Sequence, residues 1–162
     1  MRFTCTTNLL LLCLTALVPS ASAGFHLFLR YQNLCDIECN KKTDVCWPKH
    51  YVEWRVGAVP SSQYNCNAFK DDRNFPNVLP QSGQDFNWNG YNFPGICGTG
   101  SVDFWQTNNG QTLEVWVHNA NPGQKVATCY KQQGNSIDCG RQSCYVTEVH
   151  DVWVCADTKL CS

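Results

Sequence analysis

The sequence predicts a fold that is mostly β, or α+β, with one antiparallel sheet of about four to six strands, one or two short helices and long disulfide-tied loops. Two strand-like segments separated by Asn109-Gly110 give the first indication. Several other short segments alternate between apolar and polar residues, which is the periodicity of a half-buried strand. Ten cysteines that follow an N-terminal leader are the third observation, since cross-links replace part of a large core in small exported domains.

The segment from Ser101 to His118 predicts a hairpin of two strands. Its central Asn109-Gly110 dipeptide suits the positive φ angles of a type I′ turn. With this dipeptide at the centre of the turn, the predicted cross-strand pairs are Val102–Val117, Asp103–Trp116, Phe104–Val115, Trp105–Glu114 and Gln106–Leu113. One face is then apolar and the other mixed, and a shift of one residue would exchange them. Turn chemistry and side-chain pattern therefore predict the same register.

Alternating patterns predict the remaining strands. They lie at residues 25–31, 49–59, 126–131, 145–149 and 152–155. The last two are expected to form a hairpin bent at His150-Asp151. The polar segment from Cys35 to Cys46 predicts an irregular loop or one turn of helix. Residues 61–100 are rich in Asn, Asp, Gly, Pro and aromatic residues, and they predict a long loop with a short helix at residues 65–73.

The chain begins with the features of a secretory signal. A charged start is followed by an apolar run and by Ala21-Ser-Ala23, a cleavage-site pattern. We therefore expect a signal peptide at residues 1–23 and one secreted, extracellular domain at residues 24–162. The apolar run is shorter than the roughly 20 residues of a membrane helix, so no membrane association is expected. Because Arg2 leaves with the signal, the formal charge changes from −1 to −2, and nucleic-acid binding is not indicated.

The predicted mature chain keeps ten cysteines: Cys35, Cys39, Cys46, Cys66, Cys97, Cys129, Cys139, Cys144, Cys155 and Cys161. An even number in an exported chain predicts five disulfides, but spacing does not choose among the many possible pairings. Zinc binding is the alternative for pairs such as Cys35 and Cys39. Exported thiols oxidise, however, and no Cys-x2-Cys pair occurs, so neither a metal nor another cofactor is expected.

One pattern indicates catalytic chemistry. Tyr51-Val-Glu-Trp54 is followed along the chain by Arg73 and then by His118. In this order the residues resemble those of the small microbial guanyl-specific ribonucleases, whose Tyr-x-Glu-Trp strand carries a general base. The resemblance implies an endoribonuclease, active or inactive, in which Glu53 deprotonates a ribose 2′-hydroxyl, His118 protonates the leaving oxygen and Arg73 stabilises phosphate charge. The interpretation that the residues favour is an ordinary strand with outward-facing polar side chains.

The mixed face of the predicted hairpin offers a binding surface. Trp105 and Trp116 lie diagonally across the strand pair, with Asp103 and Glu114 beside them. Such an aromatic platform is suited to stacking on a sugar, as in a carbohydrate-binding module, or to anchoring a protein. The alternative is that residues 61–100 cover both tryptophans and make them part of the core.

The layout of the whole chain predicts a function by resemblance. Ten mature cysteines, Trp54-Arg-Val56 in the first third and Cys161 near the end are similar to the small cysteine-rich secreted effectors of plant-pathogenic fungi. Among these the chain resembles the Leptosphaeria avirulence and suppressing family, whose members place an antiparallel sheet beside disulfide-tied loops or helices. The resemblance implies a non-enzymatic virulence or avirulence protein of the host apoplast that binds host or partner proteins. We expect it to be a monomer.

Overall fold

The computed structural model describes residues 24–80, 86–142, 145–156 and 160–161. The predicted signal peptide at residues 1–23 lies outside this part of the chain and stays a prediction. None of the helices in the described residues has the length and apolarity needed to span a bilayer.

Eight strands in the described part of the chain form one antiparallel sheet, so the class is confirmed but the predicted four to six strands are too few. The strands are β1 (Phe25–Cys39), β2 (Cys46–Pro60), β3 (Asn77–Leu79), β4 (Tyr91–Phe93), β5 (Val102–Thr107), β6 (Thr112–Val117), β7 (Lys125–Gln142) and β8 (Tyr145–Ala156). Their order across the sheet is β3-β2-β1-β8-β7-β6-β5-β4. The sheet curls into a nearly closed barrel, and its edge strands approach each other where the Asn77 amide contacts the Tyr91 hydroxyl. The strands β3 and β4 have three residues each, too few for alternation to reveal them.

The predicted central hairpin is confirmed as β5 and β6, with all of its predicted pairs in register. Asn109 has φ 52° and ψ 38°, and Gly110 has φ 77°. The Gln111 amide donates a hydrogen bond to the Asn108 carbonyl over 3.1 Å. Positive φ angles at both central residues are the geometry of a type I′ turn. The Asn-Gly dipeptide therefore sets the register that separates the two faces of the hairpin.

The strands β1 and β2 are longer than predicted. The segment from Cys35 to Cys46, expected to be a loop or a helical turn, continues both strands as far as the pair Cys39–Cys46. Its polar residues do not interrupt strand pairing, because from Asp36 to His50 the side chains are exposed on both faces. We call residues 35–52 the arm, since this part of the β1–β2 hairpin extends beyond the barrel.

The prediction of a hairpin bent at His150-Asp151 is wrong. The segment forms one strand, β8, which pairs with β1 on one side and with β7 on the other. Its register with β1 shifts where Leu27 faces Trp153 and Phe28 faces Asp151, so that Val152 is an extra residue. A bulge interrupts the alternation of side chains, and in a sequence this interruption looks like the end of a strand.

The sheet buries apolar side chains on both faces. The inner cluster fills the barrel and includes Phe25, Leu27, Leu29, Val56, Trp88, Val102, Phe104, Leu113, Val115 and Trp153. The outer cluster is Phe28, Val59, Ala68, Phe69, Phe75, Cys139 and Val149. It lies beneath α1 (Cys66–Lys70), and the Asn65 side chain caps this helix by accepting hydrogen bonds from two backbone amides. The short helix expected within residues 65–73 is thus confirmed, and a 3-10 helix, Asp72–Asn74, follows it.

Four disulfides join cysteines in the described residues: Cys39–Cys46, Cys66–Cys139, Cys97–Cys161 and Cys129–Cys155. The bridge from Cys66 ties α1 to β7, and the bridge from Cys97 ties the segment before β5 to residue 161. The fifth disulfide stays a prediction, because Cys144 lies outside the described residues. Several disulfides are consistent with an extracellular protein.

Candidate functional site

The outer face of β5 and β6 carries the four residues predicted to bind a partner. Asp103, Trp105, Glu114 and Trp116 share this face, because the residues between them point into the barrel core. Trp105 is 48 % exposed, whereas Trp116 is half-buried. The hairpin therefore presents one prominent indole and one that is partly covered.

Hydrogen bonds join the polar side chains of this face. The Trp116 indole N–H donates to Glu114 Oε2 over 3.1 Å. Burial acts to raise the pKa of Asp103, but hydrogen bonds from Asn92 and His118 outweigh it and hold that pKa below its usual value. Both carboxylates thus have protein donors, which fixes the side chains around the two indoles.

The residues of the ribonuclease hypothesis lie in three separate ion pairs. The pairs are Glu53–Arg55, Arg73–Asp71 (2.6 Å) and His118–Asp103 (2.9 Å). Glu53 lies on β2 and His118 directly follows β6, and β1, β8 and β7 separate these strands in the order of the sheet. Hydrogen bonds from Arg73 hold the pKa of Asp71 at about 2. The described contacts do not bring the hypothetical base, acid and phosphate ligand together.

The arm is a candidate site that the sequence analysis missed. Within the described residues, β8 pairs with β1 as far as Leu34, and β3 pairs with β2 at Trp54–Val56. Beyond these points, the described part of the chain provides each arm strand with only the other as a partner. Five large hydrophobic side chains are exposed there: Ile37 (72 %), Val45 (58 %), Trp47 (44 %), Tyr51 (44 %) and Val52 (55 %).

Apolar side chains lie on both faces of the arm. Ile37 and Val52 share the face that continues the interior of the barrel, whereas Trp47 and Tyr51 share the opposite face. The outer edge of β2 along residues 46–53 has no neighbouring strand in the described part of the chain. The arm therefore offers a partner both apolar area and unpaired backbone groups.

Local contacts hold the arm as an ordered ribbon. The disulfide Cys39–Cys46 closes its end, and the Asn40 carbonyl accepts a hydrogen bond from the Asp44 amide over 2.9 Å. Lys49 Nζ lies 3.2 Å from Glu38 Oε2 across the two strands. The cysteine pair and the neighbouring strand-forming residues were the signals in the sequence, and the charges between them favoured a loop instead.

A buried carboxylate lies at the other end of β1. His26 Nδ1 is 2.8 Å from Asp151 Oδ2, and the Tyr64 hydroxyl donates to the same oxygen over 3.1 Å. Burial, followed by the charge of Asp151, raises the pKa of Tyr64 to about 12. The members of this cluster are far apart in the chain and no sequence motif joins them, so the sequence does not indicate the cluster.

Comparison of the chain with protein-family models, curated proteins and solved structures gives no match. The resemblances to fungal effectors and to guanyl-specific ribonucleases therefore stay predictions from the sequence.

Proposed function

We propose that this is a secreted, non-enzymatic protein that binds a partner protein through the arm. One observation carries the proposal. In the described part of the chain nine large hydrophobic side chains are exposed, and five of them lie on the arm. Exposed apolar side chains that occur singly are ordinary, but their concentration on both faces of one projecting hairpin indicates an interaction surface.

The form of the arm favours a protein as the partner. An exposed strand edge recognises an extended peptide through backbone hydrogen bonds, and alternating side chains provide the specificity. Burial of aliphatic residues such as Ile37 and Val52 against a partner is favourable by about 25 cal/mol per Å² of apolar area. The chain has a formal charge of only −1, which supplies no general attraction to a polyanion.

The effector function predicted from the sequence fits this proposal. A virulence or avirulence protein acts by contact with a host protein, and such a contact needs a durable surface and no catalytic centre. Four disulfides among the described residues support persistence outside the cell. We therefore propose that the partner is an extracellular host protein.

Charged substitutions on the arm test the proposal. Immobilised Ile37→Asp and Val52→Asp variants are compared with the wild-type protein for capture from the extracellular fluid of host tissue. The matched control is Val78→Asp on β3, because Val78 is 54 % exposed and Val52 is 55 % exposed. We expect the wild-type protein and the control to retain the same partner, and at least tenfold less of it to remain on the arm variants. Equal retention by all four proteins would show that the arm is not the contact.

A carbohydrate-binding function is the second candidate, and the exposure of Trp105 favours it. A Cβ atom at Gly90 would lie 3.8 Å from the Trp105 ring, so the indole rests against the backbone there, while 48 % of the residue remains exposed. Pull-down with insoluble chitin and glucan, with Trp105→Ala as the comparison, tests this candidate. Retention that depends on Trp105 and is unaffected by Ile37→Asp would favour a carbohydrate ligand.

A further inference from the structure

A cavity of about 270 Å³ lies near the base of the arm, apart from both surfaces described above. Its lining is Leu29, Trp54, Lys131, Gln132, His150, Asp151 and Val152. Leu29 is opposite His150 across β1 and β8, and it belongs to the inner cluster. The cavity is therefore a continuation of the barrel interior, and the mouth of a barrel is a common position for a small-molecule site.

The wall of the cavity is aromatic. The Trp54 and His150 rings stack with centroids 5.7 Å apart and an interplanar angle of 21°. Tyr31 meets Trp54 edge-on, with ring centroids 5.2 Å apart. Leu29 and Val152 add aliphatic surface. A planar ring can extend this stack, because offset aromatic pairs are more favourable than the burial of their area alone would make them.

One cation lies at the rim of the cavity. Lys131 is exposed and has no ion pair within the described residues. Although Asp151 lines the cavity, its carboxylate accepts hydrogen bonds from His26 and Tyr64. Asp151 is paired with Phe28 of the outer cluster, so this carboxylate lies on the other face of the sheet and does not pair with Lys131. Glu148 is a neighbour of His150 at 3.8 Å, and its carboxylate contacts the Ser136 hydroxyl. The cavity thus combines an aromatic wall with a cation that has no protein partner there.

We infer that this cavity binds a small aromatic carboxylate, with its ring against Trp54 and its carboxylate at Lys131 Nζ. The volume limits the size of the ligand, since pockets for drug-sized ligands measure about 300–1,000 Å³ and this cavity lies just below that range. A dinucleotide or a haem would not fit. The lysine selects an anion, and the stacked wall selects a planar ring over an aliphatic one.

Three probes of similar size separate charge from planarity. Benzoate has both features, benzamide lacks the charge, and cyclohexanecarboxylate lacks the planar ring. Binding is measured by NMR chemical-shift titration of the full secreted protein, with the Trp54 indole N–H as the reporter. We expect saturable binding of benzoate, and at least tenfold weaker binding of the other two probes.

Substitutions assign the site. Lys131→Met should weaken benzoate binding about tenfold and leave benzamide binding unchanged. The control Lys125→Met, in which an exposed lysine paired with Glu114 is lost from the outer face, should bind benzoate like the wild-type protein. Trp54→Phe keeps an aromatic ring in the wall, and because it lacks the indole N–H its titration is followed through the backbone amide of Val152. Absence of saturable benzoate binding, equal binding of benzamide, or an unchanged affinity in Lys131→Met would each overturn the inference.

Discussion

Strands β1 and β2 run from the barrel into the arm, yet their side chains are buried in the barrel and exposed in the arm. Phe25, Leu27 and Phe28 on β1 have no exposed surface, whereas Ile37 on the same strand is 72 % exposed. Pairing between β1 and β2 is continuous through both regions, but within the described residues β8 pairs with β1 only as far as Leu34. The difference is that the sheet curls around the first part of β1 and helix α1 covers its other face. Secondary structure can thus extend well past the core that stabilises it.

The barrel and the arm therefore differ in how much they contribute to the stability of the fold. Burial of apolar area supplies most of the favourable free energy of folding, and in the described chain that burial lies in the barrel and beneath α1. The arm adds little apolar burial, and its disulfide and strand pairing keep it ordered. An apolar surface that contributes little to folding is available for contact with another molecule.

Removal of disulfides should show the largest difference between the regions. Cys66–Cys139 closes a separation of 73 residues, and loop-closure entropy predicts that replacing both cysteines with Ala costs about 4 kcal/mol in the free energy of unfolding. The matched double variant at Cys39 and Cys46 removes a bridge that closes only 7 residues. We expect it to speed hydrogen exchange in the arm and to leave the urea midpoint unchanged. A loss of about 2 kcal/mol in the arm variant, the value that loop-closure entropy gives for so short a loop, would mean that the arm unfolds together with the barrel.

Truncation of a single apolar side chain should show the same division with a smaller effect. Leu113 has no exposed surface inside the barrel, so Leu113→Ala should cost about 3 kcal/mol through lost burial and the cavity that it leaves. Ile37→Ala on the arm should change the free energy of unfolding by less than about 0.5 kcal/mol. Urea denaturation followed by tryptophan fluorescence measures both. A large cost for Ile37→Ala would reveal an intramolecular contact of the arm.

Like apolar residues, arginines should stabilise the fold when they are buried and contribute little when they are exposed. Arg30 is fully buried against the outer cluster, where it donates to the Phe69 carbonyl at 3.2 Å and to Asp72 at 2.5 Å and lies over the Phe75 ring. Burial lowers the pKa of Arg30, but a guanidinium remains charged at neutral pH. Arg30→Ala should cost about 2–3 kcal/mol, because it removes packing and leaves a buried carbonyl without its donor.

Arg73 provides the exposed counterpart to Arg30. Its side chain is 89 % exposed and pairs with Asp71 on the surface. We expect no measurable change in the urea midpoint of Arg73→Ala, since exposed ion pairs are screened by water and salt. A clear loss of stability in this variant would contradict the division between buried and exposed contacts.

The barrel was predictable from the sequence where local chemistry and periodicity agree. Asn109-Gly110 and the alternation on either side of it specify one register, and the structure has that register. The short helix predicted to begin near Asn65 is also present, because capping is a local interaction. The bulge at Val152 was not predictable, since it depends on how β8 fits against β1.

The candidate site was less predictable than the fold. The charges around Cys39 and Cys46 favoured a loop, but exposed strands tolerate charges and these residues pair across the arm. The sequence placed Trp105 and Trp116 on one face correctly, because strand alternation is local. No sequence motif joins Trp54, Lys131 and His150 of the cavity, because they come from three strands that only the assembled sheet brings together.

A further expected effect concerns pH and the buried end of β1. Burial and the charge of Asp151 raise the pKa of Tyr64 from 10.0 to about 12, so the folded state holds the phenolic proton more tightly than the unfolded state. This stabilisation is complete below pH 10 and is lost as the pH rises through about 12. Urea midpoints of the wild-type protein and Tyr64→Phe should therefore converge between pH 9 and pH 11.5, whereas the arm variant Tyr51→Phe provides the reference for general alkaline effects. A constant difference between wild type and Tyr64→Phe across this range would show that the hydroxyl does not report on Asp151. Convergence would show that burial and the charge of Asp151 make the folded barrel end of β1 favour the neutral phenol of Tyr64, in contrast to the exposed Tyr51 of the arm.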